Sequence, residues 1–387
     1  MIRCIRCCMP STQEGQAFDE DGICNVCISS EVKMRIDWRS RKDELIEILE
    51  NAKENHKNDP YDCLIPISGG KDSTYQLHVL VKEFGMRPLC VTFSHNWFSS
   101  VGIYNLFNAL EKFSVDHVMF TPNRSLVNKL AKKSLKSIGD SCWHCHAGVG
   151  AFPLKVAQDY GIKLVIWGES AVEHSSRGTY ANPIHKFDQD YFLNVSAKTR
   201  PKDMVDTELG ISEKDLRAFS TPTAEVYSES KIIGIHLGDY IYWDEERQTE
   251  FVMEEYGWIE TKVEGTYKGY KSAECIMPGV HDFTCYLKRG YGRSAFHASA
   301  DIRSGLITRD DALEQLIPLD SVKPNALEYY LEITGYTEKE FYEIMNTKKK
   351  SELELIDITI RDNPTPFVRP KLFIEDLKEW LNIDRNK

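Results

Sequence analysis

Between Tyr61 and Trp167 short apolar runs alternate with longer stretches in which apolar residues recur at helical spacing. Cys63–Ile67, Pro88–Phe93, Val115–Phe120 and Lys163–Trp167 have the length and the unbroken apolar character of strands covered on both faces. Asp72 to Phe84 carries Tyr75, Leu77, Leu80 and Val81 as an apolar stripe and stops at Gly85. Ile103–Phe113, Ser125–Leu135 and Phe152–Tyr160, the last closed by Gly161, are the other helices of the series. This rhythm predicts an α/β fold, a doubly wound parallel sheet. Upstream, residues 31–58 predict one helix on Leu45, Ile46, Ile48 and Leu49, ended by the polar stretch before Pro60. Beyond Ser175 the rhythm breaks into loops and short helices (Pro201–Leu209, Glu213–Phe219). A mainly helical remainder follows, with Thr308–Leu316, Asn325–Thr334 and Lys371–Leu381 its clearest pieces. The expected organisation is residues 1–30, a linking helix at 31–60, the α/β unit at 61–175 and the helical region at 176–387.

Composition narrows the classes. Of 387 residues 42% are hydrophobic and 28% charged, ordinary values for a globular chain and unlike those of disordered ones. No apolar run reaches the roughly 18 residues a transmembrane helix needs. Met1-Ile2-Arg3-Cys4 opens no signal peptide, so a cytoplasmic location is expected. The formal net charge of −11 disfavours nucleic acid as a partner. Eleven cysteines without an export signal point to metal or catalysis instead of a disulfide framework.

The strongest chemical signal is Ser68-Gly69-Gly70-Lys71-Asp72-Ser73, where a buried strand meets two glycines and a helix begins at once. Glycine lets backbone turn tightly and approach a ligand. A helix start offers unpaired N–H groups and the positive end of a dipole, which suits phosphate. Lys71 would add a mobile cation, Ser68 and Ser73 hydroxyls, and Asp72 either Mg²⁺ coordination or order in the loop. The spacing departs from the Walker pattern, so γ-phosphate transfer is not implied. The motif resembles the PP-loop of the ATP pyrophosphatase (adenine nucleotide alpha-hydrolase, HUP-like) superfamily, whose members cleave ATP between the α and β phosphates. The resemblance implies ATP as substrate. It puts adenine at Thr92 and Phe93, which end the second strand, and a second nucleotide contact at Gly168 and Glu169.

Cys4-x2-Cys7 and Cys24-x2-Cys27 have zinc-ribbon spacing. Four thiolates make a closed tetrahedral set, and a structural Zn²⁺ would supply folding energy that residues 1–30 cannot draw from a core. Cys142-Trp143-His144-Cys145-His146 allows a second metal site, a redox pair or two structural thiols in a loop facing the nucleotide. Cys63 and Cys90 read as core, and Cys275 and Cys285 fit no metal spacing.

A narrower resemblance rests on several stretches together: Arg3–Pro10 with Gly22–Cys27, the Ser68–Ser73 loop, Cys142–Cys145, Trp167-Gly168-Glu169, Tyr286–Arg293, His297-Ala298-Ser299 and Asp301–Gly305. They look like the N-acetyl sugar amidotransferases, which make acetamidino sugars for lipopolysaccharide and for flagellar nonulosonic (pseudaminic or legionaminic) acids. The chain departs from that pattern at Ser170, where relatives usually have Asn. The resemblance implies adenylation of an acetamido oxygen followed by displacement of AMP by ammonia, with Mg²⁺ on the triphosphate. It implies a separate glutaminase subunit (HisH-like) as ammonia source, with a cyclase-like (HisF-like) subunit in some cases. Ile2 after Met1 and the lack of a Cys elbow agree, since neither glutaminase nucleophile is encoded. A carboxylated sugar would call on Arg289, Arg293 and Arg303, with Arg177 and Lys198 as further candidates. Two other readings stand beside this one. A tRNA thiolation enzyme also combines ribbon cysteines, a PP-loop and Cys-x-x-Cys, and an adaptor could sense nucleotide without turning it over.

Overall fold

The computed structural model describes residues 1–170, 197–353 and 358–365. Its centre is a five-stranded, wholly parallel sheet in the order β3-β2-β1-β4-β5, with β1 Cys63–Pro66, β2 Pro88–Phe93, β3 Asp116–Phe120, β4 Leu164–Trp167 and β5 Ile233–His236. Alternate residues face opposite layers. Cys63 and Ile65 pack with Leu45, Leu49, Leu77, Leu80, Leu106 and Leu110 on one side. Leu64 meets Leu89, Val91, Leu154 and Ala157 on the other. Both faces are therefore covered, which is why these strands read as continuous apolar runs.

Helices α1 Asn25–Lys33 and α2 Trp38–Asn55 precede the sheet. The single helix expected over 31–58 is thus two. The Asp37 side chain accepts from the Arg39 and Ser40 N–H groups and starts α2 afresh. After β1 come α3 Lys71–Leu77, continued by a π-turn segment to Glu83, then α4 Ser100–Phe113, α5 Arg124–Ile138 and α6 Trp143–Asp159. The Cys142–Cys145 stretch is a helix start and not a loop: Cys142 is the cap and Cys145 lies in the first turn of α6. Strand β5 stands in what the sequence reads as helical remainder, so the sheet draws on residues beyond 175.

Later elements are α7 Ala224–Ser230, α8 Glu245–Tyr256, α9 Pro278–Arg289, α10 Arg293–Arg303, α11 Ala326–Thr334 and α12 Glu338–Asn346. Pro201–Met204 and Glu213–Phe219 are 3₁₀ turns. Helices α9, α11 and α12 share a core with α5 through Val280, Phe283, Leu287, Leu327, Tyr330, Phe341, Val127 and Leu135. The ribbon packs on α10 through Tyr291 and Ala295. Arg177 and Lys371–Leu381 lie outside the described residues. Among the described residues no helix is long and apolar enough to cross a membrane.

Candidate functional site

Strand order reverses at β1, with β2 on one side and β4 on the other. Ligands of doubly wound sheets settle in the crevice beyond the strand ends at such a switch point. The two loops leaving it are Ser68–Gly70 after β1 and Gly168–Glu169 after β4.

Gly69 has φ +82°, and a Cβ there would lie 2.5 Å from the Gly102 carbonyl oxygen and 2.9 Å from the Leu106 nitrogen. No side chain fits. The Gly69 carbonyl is held by Trp258 Nε1–H at 2.9 Å, and Gly70 N–H donates to Ser68 Oγ at 3.3 Å. Gly70 caps α3 with no side-chain hydrogen bond to the first turn. Ser73 Oγ turns back to the Gly70 carbonyl at 2.9 Å, so that hydroxyl serves the loop's own shape.

Lys71 is 2% exposed, and its Nζ donates to both Asp72 oxygens at 2.6 and 2.7 Å. Glu245 Oε1 is 3.9 Å away and the Tyr270 ring centroid 5.4 Å. The cation is thus clamped, not mobile as the sequence suggested. Burial works against its charge, but Asp72, Glu245 and Glu169 outweigh it and hold Lys71 above the ordinary lysine range. Asp72, Glu169 and Glu245 each bring a carboxylate oxygen within 4.8 Å of the others, a set of hard oxygen donors that fits Mg²⁺. Burial raises the Asp72 carboxyl, as Lys71 only partly offsets it.

Glu245, Trp258, Tyr270 and Glu274 escaped the sequence reading. Glu274 Oε2 lies 3.7 Å from where a Gly70 Cβ would sit, and its burial raises its pKa. These residues come from segments distant in sequence with no motif of their own.

Gly168 and Glu169 are tied to β5: the Gly168 carbonyl accepts from Gly238 N–H at 2.9 Å, and the Glu169 carbonyl partners His236 Nδ1 at 2.7 Å. Ser170 is buried and donates to Asp239. Thr92 Oγ1 donates to the Ile67 carbonyl at 2.8 Å, and Phe93 is buried among Phe120, Phe152 and Phe219. Both of these side chains therefore serve the interior.

The three arginines separate. Arg289 is buried and pairs with Glu14 of the ribbon at 2.7 Å. Arg303 lies close enough to the ribbon for its charge to act on Cys7, whose thiol is raised chiefly by its hydrogen bond with Cys24. Arg293 pairs with Asp282 at 2.8 Å, and its field also reaches Glu274 beside the glycine loop. Lys198 lies 3.7 Å from Glu14.

At the ribbon, Cys4, Cys7, Cys24 and Cys27 are all buried, and their sulfurs lie within 4.8 Å of one another. The Cys7–Cys24 and Cys4–Cys27 sulfur separations are 3.6 and 3.9 Å. A tetrahedron with metal–sulfur bonds of about 2.3 Å has edges of about 3.8 Å, so the set fits a four-thiolate metal ion. Backbone N–H groups of Arg6, Cys7 and Cys24 point at the Cys4 sulfur at 3.4, 3.5 and 3.3 Å, the partners a thiolate wants. At α6, burial raises the Cys142 and Cys145 thiols, and Cys275, which acts on both, is pushed up to about 12. Such neutral thiols are poor nucleophiles without a metal.

Residues 264–356 match a family model described as the LPS biosynthesis protein WbpG-like, C-terminal domain. The chain is 26% identical over 179 residues to MJ1599, an uncharacterized protein of Methanocaldococcus jannaschii, across 44% of this chain and 62% of that protein. The match thus spans less than two thirds of that relative's length. Among solved structures, the U34-tRNA thiolase NcsA of Methanococcus maripaludis with its [4Fe-4S] cluster is similar at TM-score 0.34 and 12% identity, over 92% of each chain. NMN synthetase from Francisella tularensis is similar at TM-score 0.23 and 12% identity, over 57% of this chain and 87% of that one. Likenesses as distant as these two carry no argument about chemistry.

Proposed function

We propose that this chain activates an acetamido sugar with ATP and exchanges AMP for ammonia, giving an acetamidino sugar for surface polysaccharide synthesis. One observation carries the nucleotide half. A glycine loop that admits no side chain lies at the sheet's switch point beside a buried Lys71 and three converging carboxylates. The match of residues 264–356 to an LPS biosynthesis family supports the sugar half.

An amide is a poor electrophile because its nitrogen lone pair is shared with the carbonyl. In the proposed reaction the acetamido oxygen attacks the α-phosphorus, a P–O bond forms, and pyrophosphate leaves. Ammonia then adds to the imidate carbon, AMP departs with the C–O bond electrons, and a proton is lost to solvent. Lys71 and the N–H groups at the start of α3 would hold charge on the leaving pyrophosphate, an electrostatic role that needs groups already in place. Asp72, Glu169 and Glu245 would hold Mg²⁺, which neutralises phosphate charge. Zn²⁺ is the ion we assign to the four ribbon cysteines, with a structural role. Ammonia would come from a separate glutaminase subunit.

The test is product analysis with ATP, ammonium salt and a panel of N-acetylated nucleotide sugars and nonulosonic acids. AMP and pyrophosphate formed only with a sugar support the reading, whereas ADP and phosphate would refute it. Ammonium salts should sustain turnover where glutamine alone does not.

A second reading, sulfur transfer to tRNA, draws support from Cys275, which lies near Cys142 and Cys145 and gives three neighbouring thiols. A brown purified protein with iron and sulfide, or co-purifying RNA, would favour it.

A further inference from the structure

At the start of α6 a third set of metal-type donors converges, composed of residues outside the ribbon and the glycine loop. Asp140 lies within the α5–α6 turn, His146 in the first turn of α6, and His281 on α9. One donor atom from each lies within 4.8 Å of the others. The Asp140 Oδ2 to His146 Nδ1 distance is 3.9 Å, and the His146 and His281 rings meet edge to face at 5.2 Å.

The surroundings are those of a built site. Asp140 Oδ1 accepts the Cys142 N–H at 2.6 Å, which fixes the carboxylate and leaves Oδ2 towards His146. His281 Nδ1 lies 3.0 Å from Asp282 Oδ1, the carboxylate partner that metal-binding imidazoles characteristically have. Asp140 is 7% exposed, while the His146 and His281 side chains keep 32% and 21% exposure, which gives an ion a way in. Donors around a bound transition metal stand about 3–3.5 Å apart, so donor-atom shifts of about an ångström would close the set.

We propose that Asp140, His146 and His281 bind a divalent transition-metal ion, with Asp282 as the partner that orients His281. Two imidazoles and one carboxylate suit Zn²⁺ or Fe²⁺, and three protein ligands leave a coordination position for water or substrate. Asp282 also pairs with Arg293, whose field reaches Glu274 beside the glycine loop. The proposal is independent of the adenylation chemistry. Its rival is a metal-free cluster in which His281 keeps a proton between Asp140 and Asp282.

The full chain, stripped by chelator and reloaded with Zn²⁺ or Co²⁺, tests this. After desalting, the unmodified protein should retain about two equivalents of metal, falling to about one in Asp140→Asn and in His281→Ala. The Co²⁺–thiolate charge-transfer band of the ribbon should persist in both variants, which shows that they are folded. Cys4→Ser should weaken and shift that band and leave the other equivalent in place. Retention of only one equivalent that survives both substitutions would overturn the proposal. So would a second equivalent that departs with Glu245→Gln or Cys142→Ser instead.

Discussion

Trp258 Nε1 donates to the carbonyl of Gly69 at 2.9 Å, so a residue 189 positions downstream sets the peptide plane of the glycine loop. Trp258→Phe keeps an aromatic ring but removes the donor, leaving a buried carbonyl unpaired at a cost of about 1–3 kcal/mol beyond the loss of packing. The expected result is a roughly tenfold loss in kcat/KM for ATP with little change in the KM of the sugar. Pyrophosphate release at varied ATP measures it, and equal effects on both substrates would count against a local role.

Lys71 and Asp72 act as a pair, and their variants should differ. Lys71→Ala removes the charge that faces the leaving pyrophosphate and should lower kcat by about 100–1000-fold. Asp72→Asn frees the ammonium and weakens the carboxylate set, so it should raise the Mg²⁺ requirement as well as lower the rate. Rates across a magnesium titration separate the two.

His144 donates from Nε2 to the His95 carbonyl at 3.3 Å, and Trp97 N–H donates to His95 Nδ1 at 3.1 Å. Burial pushes the His95 imidazole down to about 4. Burial, helped by His95, pushes His144 down to about 3. Both fold neutral, so their stability is intact above the unfolded value of about 6.5 and is lost as pH falls from there towards 4. At pH 5 the pair should cost on the order of 4 kcal/mol, at about 1.4 kcal/mol per pH unit for each. Denaturant melts at pH 7.5 and pH 5 check the sign: a protein equally stable at both would refute neutral burial.

Asp320 accepts N–H donors from Gly292 and Ser294 at 2.8 Å and from Ala295 at 3.2 Å, stitching the start of α10 to a distant turn. Asp320→Ala leaves three buried donors unpaired and should destabilise by about 2–4 kcal/mol. Asp320→Asn, which keeps an acceptor oxygen, should cost less. Thermal melts of the two decide it.

The sheet was legible because its strands are buried on both faces, which writes an unbroken apolar run into the sequence. Strand β5 was missed because Ile233-Gly234-Ile235-His236 is a short edge segment with glycine inside it. The glycine loop and the ribbon were legible because their residues are neighbours in sequence. Glu245, Trp258 and Glu274 were not, since tertiary packing alone brings them to the loop. The Phe93 ring fills the space over Gly148, a packing role that its sequence position alone did not reveal.

The thiolate cluster at the N-terminus reaches far along the chain. Thr12 donates to the Arg289 carbonyl at 2.6 Å, Glu14 pairs with Arg289, Cys8 meets Ser299, and Arg309 donates to the Cys4 carbonyl at 3.4 Å. Residues 4–14 therefore find their seat only against residues 289–309, nearly three hundred positions away. A chelator that empties the cluster should loosen α10 as well as the ribbon, and the amide protection of the two should be lost together in hydrogen exchange.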